Sequence, residues 1–534
     1  MHQHIARIAL VCTSLALPAI APADQAEAVR LGSVHLEVAC SAQAQKEFDL
    51  AAAYYHSFAW EQTRAPLDRA LAADPSCGMV HWLRALASLD NPFAWPGNVS
   101  ATTLADGAVL IGQARTTGLR TQRERDYVDA LGAFFQDAGT LPHRTRAKAL
   151  EDAMDKVRTS YPADSEATVL YSLVLSANFD PADKQYRNQL RAAELLEKVF
   201  AQQPDHPGAA HYLIHSYDYP PLANQGLSAA QRYSKIAPAA PHAQHMPSHI
   251  FTRVGAWSDS VAANSASAKA DSATGANTLH AYDYMAYAYL QMGQDAKVRA
   301  LVDQAQAIAK PPDNFAAAYA YAAIPARLVL ERGNWAPAAR LALTPAADAY
   351  PWSKYPQAEA ANAYARGLGA AALRDPAALQ AELARLARLR DRAAELKLAY
   401  WVDQIGIQID VVRGFAIFRA GDTKTGLAAL RQAADREDAS EKHVVTPGPL
   451  LPARELLATA LLENGDAAGA AREFEAVLRK EPNRLRAMAG ALLASERSGQ
   501  PQAAHEYSDK LARQTAQSDG GVPGLQLARQ SVLP

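Results

Sequence analysis

The sequence lacks most of the signals by which a chain announces its chemistry. There is no phosphate-binding glycine loop, no G-x-S-x-G nucleophile turn, no H-E-x-x-H zinc helix and no cysteine–histidine pair arranged for attack. Charge of one sign is missing too: 53 Lys and Arg stand against 55 Asp and Glu, with no long basic run, which argues against a nucleic-acid partner. After residue 25 no stretch approaches the roughly 20 apolar residues that would span a bilayer, so no transmembrane segment is expected. Aromatics are modest, while alanine, leucine and other helix formers fill most windows. At 534 residues the chain is too long for one compact core, so several domains or an extended array are expected.

The N-terminus differs from the rest. His2, His4 and Arg7 precede an apolar stretch from Ile8 to Ile20, and Ala21-Pro22-Ala23 offers an A-x-A cleavage site before Asp24. Residues 1–23 therefore read as a secretory signal peptide, with a periplasmic or secreted destination. Cys12 lies too early, and follows Val11, for a lipoprotein. Two cysteines remain after cleavage, Cys40 and Cys77, each just before a predicted helix and about one repeat apart. A disulfide between them is plausible in an oxidising compartment, and two small buried thiols are the alternative.

Repetition is the dominant positive signal. In residues 451–482, Ala458, Leu461, Gly465, Ala470, Phe474 and Pro482 occupy positions 8, 11, 15, 20, 24 and 32 of the tetratricopeptide (TPR) pattern. A second copy closes at Pro75, others carry their turn at residues 253–257, 291–295 and 331–335, and two more end at Pro162 and Pro204. Each helix pair of such an array buries its apolar face only when the next stacks on it. The expected fold is thus all-α, a TPR superhelical solenoid of antiparallel helix pairs with a concave groove lined by first helices. An N-terminal array over 24–300 continues into a C-terminal array over 301–517, with a frayed tail at 518–534. Residues 92–145 break the rhythm and read as an inserted helix pair, and 434–452 as a long charged loop.

Several blocks, among them HPGAAHYLIHSYD (206–218), APHAQHMPSHIFTRVGAW (240–257) and DREDASEKHVVTPGPLLPARELL (435–457), span much of the mature chain. Through them the sequence resembles a bacterial family of TPR-containing proteins that carries no settled activity. The resemblance implies a shared architecture and a shared His-rich stretch. One departure is Asp283, where relatives often carry another histidine.

Seven of the fifteen histidines fall between residues 206 and 280. His211, His215 and Asp218 sit at i, i+4 and i+7, and His242, His245 and His249 at i, i+3 and i+7. His280, Asp283 and Tyr287 follow in the next repeat. In the TPR register these residues take positions 2, 5, 9 and 12, which face the groove, so they should converge on one volume. Pro247 complicates the second set, because proline inside a helix costs ~3 kcal/mol. It is expected to begin a helix, with His242 and His245 in the preceding loop.

Imidazoles and carboxylates gathered in this way are ligands for zinc, copper, iron or manganese, and the His211-x3-His215 spacing lets one helix supply two of them. His211, His215, Asp218, His242, His245, His249, His280 and Asp283 are the candidate metal ligands, with Tyr287 and Arg327 as candidate ligand-binding residues. The competing reading of the cluster is a buried polar network. For Arg327 it is an ion pair, and His56, His81, His143 and His505 read as isolated structural or surface residues. Two functions follow: a metal-binding groove, with or without metal-dependent catalysis on a small molecule, and a scaffold for a peptide or partner protein.

Overall fold

The computed structural model describes residues 29–519 apart from 98 and 272–274. The expected signal peptide, and the tail beyond residue 519, lie outside the described residues. Within them every regular element is helical. The α-helices form twelve consecutive pairs, from Ala42–His56 with Arg64–Ala73 to Leu485–Arg497 with Pro501–Gln514, when Pro241–His245 and Pro247–Arg253 count as one bent helix. No helix among the described residues is long and apolar enough to cross a membrane.

The turns explain why the motif was readable. Gly255, Gly293, Gly333 and Gly465 follow the first helices of their pairs with φ of +70°, +71°, +61° and +89°. That left-handed conformation lets a second helix fold back, and only glycine adopts it without strain. Residues 92–145 are not an insertion. They contribute the second helix of one regular pair (Ala101–Thr117) and the first of the next (Gln122–Phe135), and the longer connections before and after these two helices (89–100 and 136–142) obscure the period. Cys40 and Cys77, each just ahead of a first helix, are disulfide-bonded.

The hydrophobic core has two large bodies, one running from Leu31 to Ile250 and the other from Leu279 to Ala494, with a small cluster of Trp257, Tyr287 and Ala288 at the break and another in the last helix pair. This break lies upstream of the expected boundary at residue 300 and falls in the His-rich stretch. The superhelix also closes on itself. The Trp257 indole donates to the Asn483 carbonyl at 3.0 Å, Leu485 N–H donates to Gln291 at 2.9 Å, and Gln514 donates to the Gln291 carbonyl at 2.6 Å. The start of the expected frayed tail is docked as well, since Asp519 N–H donates to the Gly293 carbonyl.

The loop after Thr423–Asp438 crosses the concave face instead of projecting into solvent. Lys442 reaches Asp218, the Thr446 carbonyl accepts from Tyr284, and the Gly448 and Pro449 carbonyls accept from Arg327. The groove is therefore filled by the protein's own C-terminal half, with His211, His215, His245 and His249 buried and His242 and His280 partly buried.

Candidate metal centre

The helix Pro207–Tyr217 starts cleanly: Pro207 has no N–H to leave unpaired, and the His206 imidazole accepts the Ala209 N–H. His211 and His215 lie one turn apart inside it, and Asp218 caps its end. In the next repeat, His242 and His245 are helical (Pro241–His245), not in a loop as expected. Pro247 begins a second helix, but Met246 between them keeps helical angles (φ −54°, ψ −35°), so the chain bends without unwinding. His245 and His249 thereby keep i, i+4 geometry across the joint. His280 projects from Ala276–Gln291.

The six groove histidines separate into two groups. His211, His215 and His242 form one, and His245, His249 and His280 the other, the ligating atoms of each lying within 4.8 Å of one another. A four-coordinate ion with bonds of ~2.0–2.1 Å sets its ligands about 3.4 Å apart, so both groups are close to coordination geometry. The second group is the first moved along by one repeat: His245 and His249 are each 34 residues beyond His211 and His215, and in both groups the third imidazole comes from the start of the following repeat.

The second group shows what its nitrogens are prepared for. His249 Nδ1 lies 2.8 Å from Asp218 Oδ2, a carboxylate that can only accept, so the ring proton sits on Nδ1. His245 Nδ1 lies 2.6 Å from Asn264 Oδ1, and the Asn264 amide is oriented by donating its own N–H to the Ser260 carbonyl at 2.8 Å. Its oxygen therefore faces His245 and takes the Nδ1 proton. Both Nε2 atoms are left bare, and they face each other at 3.0 Å. Two lone pairs at that distance repel unless a cation lies between them. The Tyr284 hydroxyl, which donates to the Thr446 carbonyl, turns its oxygen to the same place, 3.3 Å from His249 Nε2.

The first group is built on the same plan. His211 Nδ1 donates to the His56 carbonyl at 2.7 Å, leaving Nε2 bare and 3.1 Å from His242 Nε2. His215 Nε2 is buried with no hydrogen-bond partner at all. Its ring stacks on Phe93 with centroids 4.0 Å apart, and Phe58 stacks on His242. Burial pushes the pKa of His211, His215, His242, His245 and His280 well below the ordinary imidazole range, which keeps these rings neutral and able to bind metal. Burial lowers His249 as well, against the opposing pull of Asp218.

The two aspartates stand outside both groups. Asp218 accepts from Arg253 Nε and from Lys442 Nζ, each at 2.8 Å, besides His249. Burial alone would raise its pKa, but Lys442 and Arg253 outweigh that and hold it well below the carboxylate range. It orients a ligand; its charge is spent on cations. Asp283 is paired with Arg327 at 2.9 Å, and Arg327 is itself fully buried, so it offers nothing to a ligand in an open groove. Tyr287 is also enclosed, donating to Glu481 and accepting from Arg484.

A third buried group, His56, Glu166 and His206, has similar composition and a different state. His56 Nε2 and His206 Nε2 meet the two Glu166 oxygens at 2.9 and 2.7 Å, while the other nitrogens meet the Tyr212 hydroxyl and the Ala209 N–H. Every ring nitrogen is satisfied, and the group braces three repeats. A cavity of about 80 Å³ lies beneath the crossing loop, lined by Tyr319, Tyr364, Trp401 and Glu437, and no histidine lines it.

Sequence reasoning passed over Asn264, Arg253, Lys442 and Tyr284. Of these only Asn264 left a trace, as a lone amide one turn after Ser260 in a second helix; the others depend on contacts between distant repeats.

No family model matches the chain, and no curated protein matches it. Among solved structures it is similar to an IFIT1 monomeric mutant with Gppp-AAAA (11% identity, 89% of this chain and 98% of that one, TM-score 0.35). It is also similar to the APC/C hetero-tetramer Cut9–Hcn1 (12%, 92% and 90%, TM-score 0.31) and to the P58(IPK) TPR domain (10%, 92% and 100%, TM-score 0.21). Scores this low carry nothing about ligands or chemistry.

Proposed function

We propose that this protein is an exported transition-metal protein whose two three-histidine groups each hold one ion. The observation that carries this reading is the pair of bare Nε2 atoms on His245 and His249, 3.0 Å apart, with their protons committed to Asn264 and Asp218. Metal-ligating histidines characteristically donate their other N–H to a carboxylate or carbonyl oxygen, which fixes the tautomer and raises ligand basicity. The first group supports the reading through the His56 carbonyl and the partnerless His215. Three protein ligands leave a position open on each ion for water or a small molecule, the arrangement that metal-dependent chemistry requires. Export is supported by the Cys40–Cys77 disulfide, a bond that persists in oxidising compartments.

The test is elemental analysis of untagged protein from its native compartment, beside a His245→Ala/His249→Ala variant checked for helicity. Metal in the native protein, reduced in the folded variant, is the expected result. Protein without metal, and without uptake of zinc, copper, iron or manganese, would overturn the reading. It would leave a scaffold whose partner must dock outside the filled concave face.

A further inference from the structure

We infer that the two three-histidine groups act as one dinuclear copper centre that binds dioxygen between its ions, an inference that rests on the metal-binding reading above. The groups face each other closely. Ring centroids are 6.0 Å apart from His215 to His249 and 6.1 Å from His242 to His245, little more than the 4.9 Å of His211–His242 or the 5.0 Å of His245–His249 within a group. Ions at the two foci would share one volume, with their open positions turned toward a common ligand.

The donor set selects the metal. All six candidate ligands are neutral imidazoles, and neither group contains a carboxylate. The one carboxylate that touches a ligand, Asp218, already faces both Arg253 and Lys442, so it offers no bridging oxygen to offset the charge of two ions. Coulomb repulsion scales with the product of the charges, so two dications here repel four times as strongly as two monocations, and burial weakens the screening. Carboxylate-bridged iron or manganese pairs offset that repulsion with bridging anions, which this site lacks. Two Cu(I) ions, each held by three imidazoles, carry the smallest charge of the admissible metals, and imidazole is a ligand that suits copper. The apolar walls formed by Phe58 and Phe93 suit a neutral diatomic ligand.

The step balances without a further reagent. Each Cu(I) gives up one electron, dioxygen takes both, and the resulting peroxide bridges two Cu(II) ions. No proton moves and no covalent bond of the protein changes.

The full-length apoprotein would be loaded anaerobically with Cu(I), then exposed to air and followed by absorption, electron paramagnetic resonance and oxygen uptake. The expected result is two copper ions per chain, one dioxygen per copper pair, an intense near-ultraviolet charge-transfer band and no paramagnetic signal, because bridged Cu(II) spins couple. His280 suits a variant, being only partly buried near the start of its helix. His280→Ala should keep the first ion, lose the second and abolish oxygen uptake. Two bound coppers that oxidise to separate, fully paramagnetic Cu(II) centres without the band would overturn the dinuclear inference and leave the metal-binding reading intact. Failure to take up copper or any other metal would overturn both.

Discussion

Two kinds of buried histidine cluster stand side by side in this molecule, and density of imidazole does not separate them. In His56–Glu166–His206 each ring nitrogen has a donor or acceptor of opposite role, and the cluster holds repeats together as a closed network. In the two three-histidine groups the protons of His245, His249 and His211 are drawn outward to Asn264, Asp218 and the His56 carbonyl, so the Nε2 atoms of these three rings face neighbouring imidazoles without a proton. The same residue type thus satisfies itself in one place and is left unsatisfied in the other. A buried polar group without a partner costs ~1–3 kcal/mol, and His215 Nε2 is such a group.

The contrast can be broken most forcefully at Asp218. Asp218→Ala strands Arg253 and Lys442 as uncompensated buried cations and frees the His249 tautomer. A loss of ~3–5 kcal/mol in urea unfolding is expected, together with weaker metal retention. If stability falls and metal content holds, Asp218 does not orient a ligand.

Glu166→Gln should do the reverse, costing ~1–3 kcal/mol while leaving metal content unchanged. Its acid limb is a second readout. Burial would raise the Glu166 pKa, yet His206 and His56 outweigh burial and hold it well below the ordinary glutamate range. A depressed carboxylate contributes stability that is present above its unfolded value and lost as pH falls through the folded one. Burial also pushes down the His56 pKa, which erodes stability in the same direction, beginning at the ordinary imidazole range. Glu166→Gln should therefore flatten the decline below the ordinary glutamate range and steepen the one that begins at the imidazole range, because Glu166 opposes the effect of burial on His56. Loss of metal in this variant would erase the distinction between the clusters.

Asn264→Ala is a narrower cut. It removes the acceptor that holds the His245 proton, and metal affinity at the second group should fall roughly 10–100-fold with modest loss of stability, as read by chelator competition. An unchanged affinity would mean that the His245 tautomer is not set by Asn264. The smallest effect belongs to His505, exposed and 3.6 Å from Asp509. His505→Ala should leave both melting and metal content where they were; a change in either would show that imidazole count, not arrangement, governs binding.

Much of the site was legible before folding was considered. Positions 5 and 9 of one repeat and position 2 of the next carry histidine twice in succession, and a periodic backbone turns periodic positions into neighbours. Helical spacing also made His211 and His215 partners without any knowledge of the rest. The roles of Asp218 and Asp283 were not legible, because a carboxylate's role depends on which cations reach it. Lys442 arrives from 224 residues away, and Arg327 from the following repeat. Residues 434–452 read only as a long charged loop, yet their carbonyls and Lys442 found buried partners across the groove.

Local chemistry thus determined the helix pairs, their glycine turns and the row of imidazoles, since each depends on contacts within about one repeat. Tertiary structure decided that the groove is filled, that eight candidate ligands resolve into two sets of three with two carboxylates turned to other work, and that one histidine cluster is closed while two remain open. Those outcomes depend on where protons and counter-charges sit in a low-dielectric interior, and they are supplied by residues that only the closed superhelix brings together.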